Sequence, residues 1–397
     1  MEAYILNWLE LLLRCLHIIT GIAWIGASFY FVWLDNHLQK PLAQELKEKG
    51  VDGELWAVHG GGFYNPQKYM VAPKELPQDL HWFYWESYST WMSGFALFVV
   101  LYLMNAKTMM LDANVSSLNP SQAVAVALGI LAFGWIIYDS VCRFFQTRDE
   151  IVGVIVCLLV IAVSYITCHL FAPRAAFIVT GAMMATTMTA NVFFWIIPGQ
   201  RKVIKSMRAG DAVDPIHGKR AKQRSVHNTY FTLPVLFAMM SNHFNMIYSH
   251  SGEWILLVLM MVAAVLVRHY FVLRHKNLNH WWLPTGAGVI IIGVAAFVAP
   301  PSLSIHGAPG DARTKVATIE DVELIVKARC LPCHSEKPTL MAAAPKNLKF
   351  DEQVAVEQNA MIIYMLVVRQ RTMPLGNATQ MTESERQSIQ TWFEARP

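Results

Sequence analysis

The chain has 397 residues, 54% of them hydrophobic and 15% charged, with a mean hydropathy of +0.34. About a quarter of the residues of an ordinary soluble domain are charged, so this composition excludes a plain water-soluble globule. The formal net charge of +4 gives no case for a nucleic-acid partner, and six cysteines are too few for a disulfide scaffold.

Long apolar runs predict eight membrane spans, near residues 5–34, 82–105, 121–142, 151–172, 175–198, 226–248, 253–274 and 282–302. Each is close to the roughly 20 residues that cross about 30 Å of hydrocarbon. The first is not read as a cleaved leader, because Glu2 makes its start acidic and its apolar stretch is too long. It carries Arg14 and His17, and His17 shares a helix face with Trp24. The next connection holds Gly60-Gly61-Gly62-Phe63-Tyr64, which lacks the context of a phosphate loop and reads as a flexible turn. His81 and Glu86 open the second span. Asp139 and Arg143 in the third are four apart, a spacing that lets them pair on one face. His169 closes the fourth span, Asn191 lies in the fifth, His227 and His243 mark the two ends of the sixth, and His269 lies in the seventh.

The connection 199–224 carries eight Lys and Arg residues between Arg201 and Arg224, against Asp211 and Asp214, and Arg274 and Lys276 follow the seventh span. The 172–174 turn and the 248–252 segment are nearly free of basic residues. By the positive-inside rule the basic connections are cytoplasmic, and eight spans then place both termini outside. In that orientation Arg14, His169 and His243 lie towards the outer side, and His81, His227 and His269 towards the inner side. Ionisable groups within spans are costly and mark function. These histidines could ligate b-type haem between facing helices, or line a cavity for an anion with Arg14 as counter-charge. The third reading is that each bonds a neighbouring helix. His227 and His243 would be about 24 Å apart on one continuous helix, room for two stacked sites.

Composition changes after Pro300-Pro301. A linker, 303–311, separates the membrane domain, 1–302, from a soluble domain, 312–397. Thr318–Asp321 and Thr382–Glu385 resemble capping boxes. They lead into helices with Val322, Ile325 and Val326 on one face and Ile389, Trp392 and Phe393 on the other. A further helical pattern covers Val354–Arg369. The expected fold is therefore all-α: a bundle of eight spans with a small cytochrome c-like α domain. Cys330-Leu331-Pro332-Cys333-His334 is the C-x-x-C-H signature of covalent haem c, with His334 as an axial iron ligand. A zinc site would need two more Cys or His ligands, and none follows Ser335. Of five methionines in the tail, Met373 sits in a loop before Pro374 and is the expected second axial ligand. Met361 and Met365 fall in the helical pattern and read as core. Haem c is attached on the outer side of a bacterial membrane, which agrees with the loop charges.

The first span from Arg14 through His17 and Trp24 to Tyr30, the His59–Tyr64 segment, the aromatic run His81–Glu86 and the tail Cys330–His334 together resemble one family. It is that of the membrane-bound bacterial urate oxidases of the PuuD type, an eight-span domain fused to a C-terminal cytochrome c. The resemblance implies oxidation of urate to 5-hydroxyisourate at the bacterial inner membrane, with the cytochrome domain periplasmic. Electrons would leave through haem c to a respiratory-chain acceptor. Arg14 and His17 would be the catalytic candidates, the first for the urate charge, and His169, His243, His227 and His269 the candidates for haem b. Two other readings stay open, a membrane electron-transfer subunit working with a quinol or a dehydrogenase, and a haem- or metal-handling protein with a redox tail.

Overall fold

The computed structural model describes residues 2–69, 73–112, 114–146, 148–248, 250, 252–299, 316–341 and 343–396. The expected linker, 303–311, lies outside them. Nine helices are named for the bundle: α1 (Glu2–His37), α2 (Trp85–Phe98), α3 (Pro120–Phe145), α4 (Asp149–Leu170), α5 (Pro173–Asn191), α6 (Ile197–Ala209), α7 (Pro215–Met240), α8 (Glu253–Arg274) and α9 (Trp282–Phe297). Among the described residues five helical columns are long and apolar enough to cross a membrane: Tyr4–His37, Pro120–Phe145, Asp149–Leu170, Pro173–Ala209 and Glu253–Arg274. The other three expected spans also fall on helices, but α2 reaches Leu103 only through a π turn, α9 has 16 residues, and α7 starts in the basic connection. Nor does the sixth span run unbroken to 248. After α7 the chain turns through the 3₁₀ segment Ser241–His243, so His227 and His243 do not share one helix.

The all-α expectation needs one correction. Between α1 and α2, β1 (Val51–Glu54) pairs antiparallel with β4 (Gln67–Tyr69), and β2 (Ala57–His59) with β3 (Gly62–Tyr64). The glycine run is thus a hairpin turn and not a loose one. Gly60 and Gly61 both have positive φ, 56° and 82°, which a two-residue hairpin loop demands and glycine supplies without strain.

Helix α5 is the centre of the bundle. Its Phe177, Val179 and Met184 are buried, and its small residues, Ala175, Ala176 and Gly181, let neighbouring helices close on it. By contrast, α1 exposes Ile18, Ile19 and Ile22, as a lipid-facing helix would. One polar clamp crosses this apolar core. The Asp139 carboxylate on α3 accepts from Arg224 Nη2 of α7 at 2.7 Å, Trp195 Nε1 at 2.6 Å and Arg143 Nε at 2.6 Å. The expected Asp139–Arg143 pair is present, but the buried partner is Arg224.

In the tail, α10 (Ile319–Arg329) and α11 (Glu383–Glu394) both open on the expected capping boxes, Thr318 with Asp321 and Thr382 with Glu385. Val322, Val326, Ile389 and Trp392 form its core. The intervening pattern is not one helix: it breaks at Asn359 and ends in a π turn, Tyr364–Arg369. That turns Ala360, Ile363 and Val367 inward and leaves Met361 and Met365 exposed, contrary to the core role expected of them.

The tail sits on the end of the bundle opposite the basic 199–224 connection, and one glycine sets how closely. Gly376 has φ +56°, and a Cβ there would come within 2.7 Å of Leu111 O and 3.4 Å of Thr108 O. Gly376→Val should therefore lift the tail from the bundle, adding the roughly 1–2 kcal/mol cost of a left-handed backbone. Hydrogen exchange should speed up at 106–112 and 374–378 while α10 and α11 stay protected; unchanged exchange at both segments would contradict the seat. For the polar clamp, Asp139→Ala leaves Arg224 buried without its carboxylate and should cost about 3–5 kcal/mol. Adding Arg224→Leu should recover most of that loss in thermal unfolding, and a single variant as stable as the parent would rule the clamp out.

Candidate functional site

The tail assembles its C-x-x-C-H residues on one turn. The Cys330 amide donates to Val326 O at 2.8 Å, and the amides of Cys333 and His334 return to Cys330 O at 3.0 and 2.8 Å. Two thiols and an imidazole thus leave the chain together, as two thioether bonds and an iron ligand on one porphyrin require. His334 Nδ1 lies 3.0 Å from Leu348 O. A carbonyl only accepts, so Nδ1 carries the proton and Nε2 keeps the lone pair a metal needs. Met373 packs on the same core as Cys330. Its amide donates to Leu366 O at 3.1 Å, and its carbonyl accepts from Arg386 Nη1 at 2.9 Å. Burial pushes the Cys330 thiol up to about 12 and raises that of Cys333, so both are neutral thiols at pH 7. Neither is in a disulfide. The geometry of Cys330, Cys333 and His334 fits attachment of a covalent haem c, and Met373 packs on the same core. Among the described residues no group of three or more His, Cys, Asp or Glu side chains offers another metal site.

In the bundle, Arg14 is not a lone cation: its Nη2 is 2.6 Å from Glu10 Oε1, one turn back on α1. The i−4 spacing of that carboxylate is legible in the sequence and was passed over. His17 Nδ1 lies 3.0 Å from Thr90 O and 3.2 Å from Ser93 Oγ, and its ring fills the space beside Gly94, so it joins α1 to α2. His169 is exposed and bonds Tyr165 O of its own helix at 2.7 Å. His227 and His269 line one cavity of about 1190 Å³ between α4, α7 and α8, whose walls are mostly apolar; His81 does not line it.

A chain of hydrogen bonds fixes the His227 ring. Arg224 Nη1 donates to Asn191 Oδ1 at 3.3 Å, and Asn191 Nδ2 donates to Tyr138 Oη at 2.9 Å. Tyr138 then has its hydroxyl proton to give to His227 Nδ1, 2.8 Å away. The His227 ring is thus tied through Nδ1 to α3. His269 Nδ1 lies 2.7 Å from Tyr230 Oη. On α8, the guanidinium of Arg268 lies 4.2 Å from the Phe29 ring centroid, buried, with Nε and Nη2 lacking hydrogen-bond partners.

A second cavity of about 1190 Å³ lies at the seam between bundle and tail. Arg174, Asn242, His243 and Glu253 line it from the bundle, and Met373, Pro374, Gly376 and Arg386 from the tail. Arg174 Nε donates to Asn242 Oδ1 at 2.7 Å, and Tyr102 Oη donates to the same oxygen at 2.8 Å. Arg174 forms no ion pair among the described residues, whereas Arg371 across the seam is paired with Glu383. Of the expected outer residues only His243 lines this cavity. Arg174, Asn242 and Tyr102 escaped the sequence reading; the available signal was a single arginine in an outer turn otherwise free of charge.

Residues 3–299 match the family model described as urate oxidase N-terminal. No curated protein and no solved structure matches the chain. The match spans the whole bundle and most of the chain, so this protein belongs to the urate oxidase N-terminal family.

Proposed function

We propose that this protein is a membrane-bound oxidoreductase that converts urate to 5-hydroxyisourate, the first step of urate degradation towards allantoin. The observation that carries the reading is the union in one chain of a urate oxidase bundle with a C-x-x-C-H tail seated against its end. We place the bundle in a bacterial inner membrane with eight spans, α2, α7 and α9 completing the five long columns. The tail, 312–397, and both termini are then periplasmic, in accord with the basic 199–224 connection at the far end of the bundle.

The chemistry balances simply. The urate monoanion and one water give 5-hydroxyisourate, one proton and two electrons, the water oxygen bonding to C5. A haem c held by Cys330, Cys333, His334 and Met373 would supply a one-electron acceptor, used twice per urate and drained by a periplasmic respiratory-chain carrier. The residues of the chain set the surroundings. Leu348 O orients the His334 ring, and Arg386 holds the Met373 loop through its carbonyl. This reading requires no haem in the spans.

The test separates binding from turnover. Cys330→Ala/Cys333→Ala should lose steady-state urate oxidation and still bind urate. Met373→Ala should keep covalent haem but lose the weak sulfur-to-iron band. A haem-less variant that turns over urate at the normal rate with no added acceptor would overturn the proposal.

A further inference from the structure

We propose that the urate anion binds in the seam cavity, with Arg174 as its counter-charge and the Asn242 amide as its orienting donor. This rests on the reading of the protein as a urate oxidase and adds the site. The cavity of about 1190 Å³ has ample room for a purine, and Arg174, Asn242 and His243 give its wall hydrogen-bonding groups.

Three observations converge on Arg174. It is half-buried at the start of α5, where the first-turn N–H groups and the helix dipole add to its attraction for an anion. It forms no ion pair among the described residues, so the carboxylates of Asp112, Glu253 and Glu383 that line the same cavity leave its guanidinium unpaired. It is also held in place: Nε bonds Asn242 Oδ1, which Tyr102 Oη fixes from the other side. With Oδ1 taking both bonds, Asn242 presents its Nδ2 as a donor, suited to a purine carbonyl. His243 on the same wall can take the one proton the reaction releases.

The position also fits the electron path. Met373 and Pro374 form the facing wall, so an anion at Arg174 lies in the same cavity as the expected iron ligand. One rival cation is Arg268, buried and, among the described residues, without hydrogen-bond partners on Nε and Nη2. It lies fifteen residues along α8 from Glu253, about 22 Å from the outer end, and does not line the seam cavity.

The experiment uses the full-length holoprotein in detergent, reduced with dithionite so that urate binds without reacting, and equilibrium dialysis with labelled urate. Arg174→Gln should raise the urate Kd at least tenfold, with haem c content and ascorbate reduction unchanged. Arg174→Lys should recover part of the affinity, and in Arg174→Ala added guanidinium should restore binding, a rescue that a folding defect would not show. Arg268→Met should bind as the parent does. If Arg174→Gln binds normally, or if Arg268→Met is the variant that loses binding, the site is wrong while the urate reading stands. If the parent itself binds no urate, the reading fails with the site.

Discussion

The functional geometry depends on a missing side chain. Because Gly376 has no Cβ, the loop after Met373 can sit directly on the carbonyl oxygens of Leu111 and Thr108. The positive φ of that residue is free for glycine and strained for anything else. A bulkier residue would hold tail and bundle apart by an ångström or more. The cavity between them would then widen, and more water around Arg174 would weaken its pull on an anion. The seat and the cavity that Met373 and Arg174 both line are therefore one constraint seen two ways.

The two ends of the bundle divide the work by polarity. Towards the basic connection, Asp139 binds Arg224, Arg143 and Trp195, so these charges are spent on tying α3 to α7 and to the π turn Val192–Ile196 that follows α5. Breaking such a buried pair leaves an uncompensated charge in the core, and the hydrogen bonds run on from Arg224 to Asn191, Tyr138 and His227. At the other end the polar groups are neutral or singly charged and face open space. Arg174, Asn242 and His243 are placed by a helix start and a short 3₁₀ turn, where backbone groups are already unsatisfied and a ligand can meet them.

Much of this was readable from the chain alone. The hydrophobic runs located helices at all eight expected spans, and the two capping boxes at Thr318 and Thr382 were found residue for residue, because both signals are local. The Asp139–Arg143 pair followed from its i,i+4 spacing. What escaped were contacts between residues distant in sequence: Arg224 on Asp139, Thr90 on His17, Asn242 on Arg174. Arg14 was singled out for its depth in a span, although Glu10 one turn away pairs with it. Met361 and Met365 were misplaced for a different reason. Their helical period is real, but the break at Asn359 and the π turn after Ile363 rotate it, and no composition signal marks a π turn. The glycine run at 60–62 was under-read, since positive φ at two successive positions makes a hairpin and not a slack loop.

The most direct measurement is to mix urate anaerobically with the oxidised, purified holoprotein and follow the haem c absorbance, with no other protein or acceptor present. Urate alone should reduce the haem, with half an equivalent of urate consumed per haem and 5-hydroxyisourate as the product. A haem c that stays oxidised with urate, yet is reduced at once by ascorbate, would show that the bundle does not deliver urate's electrons to this tail.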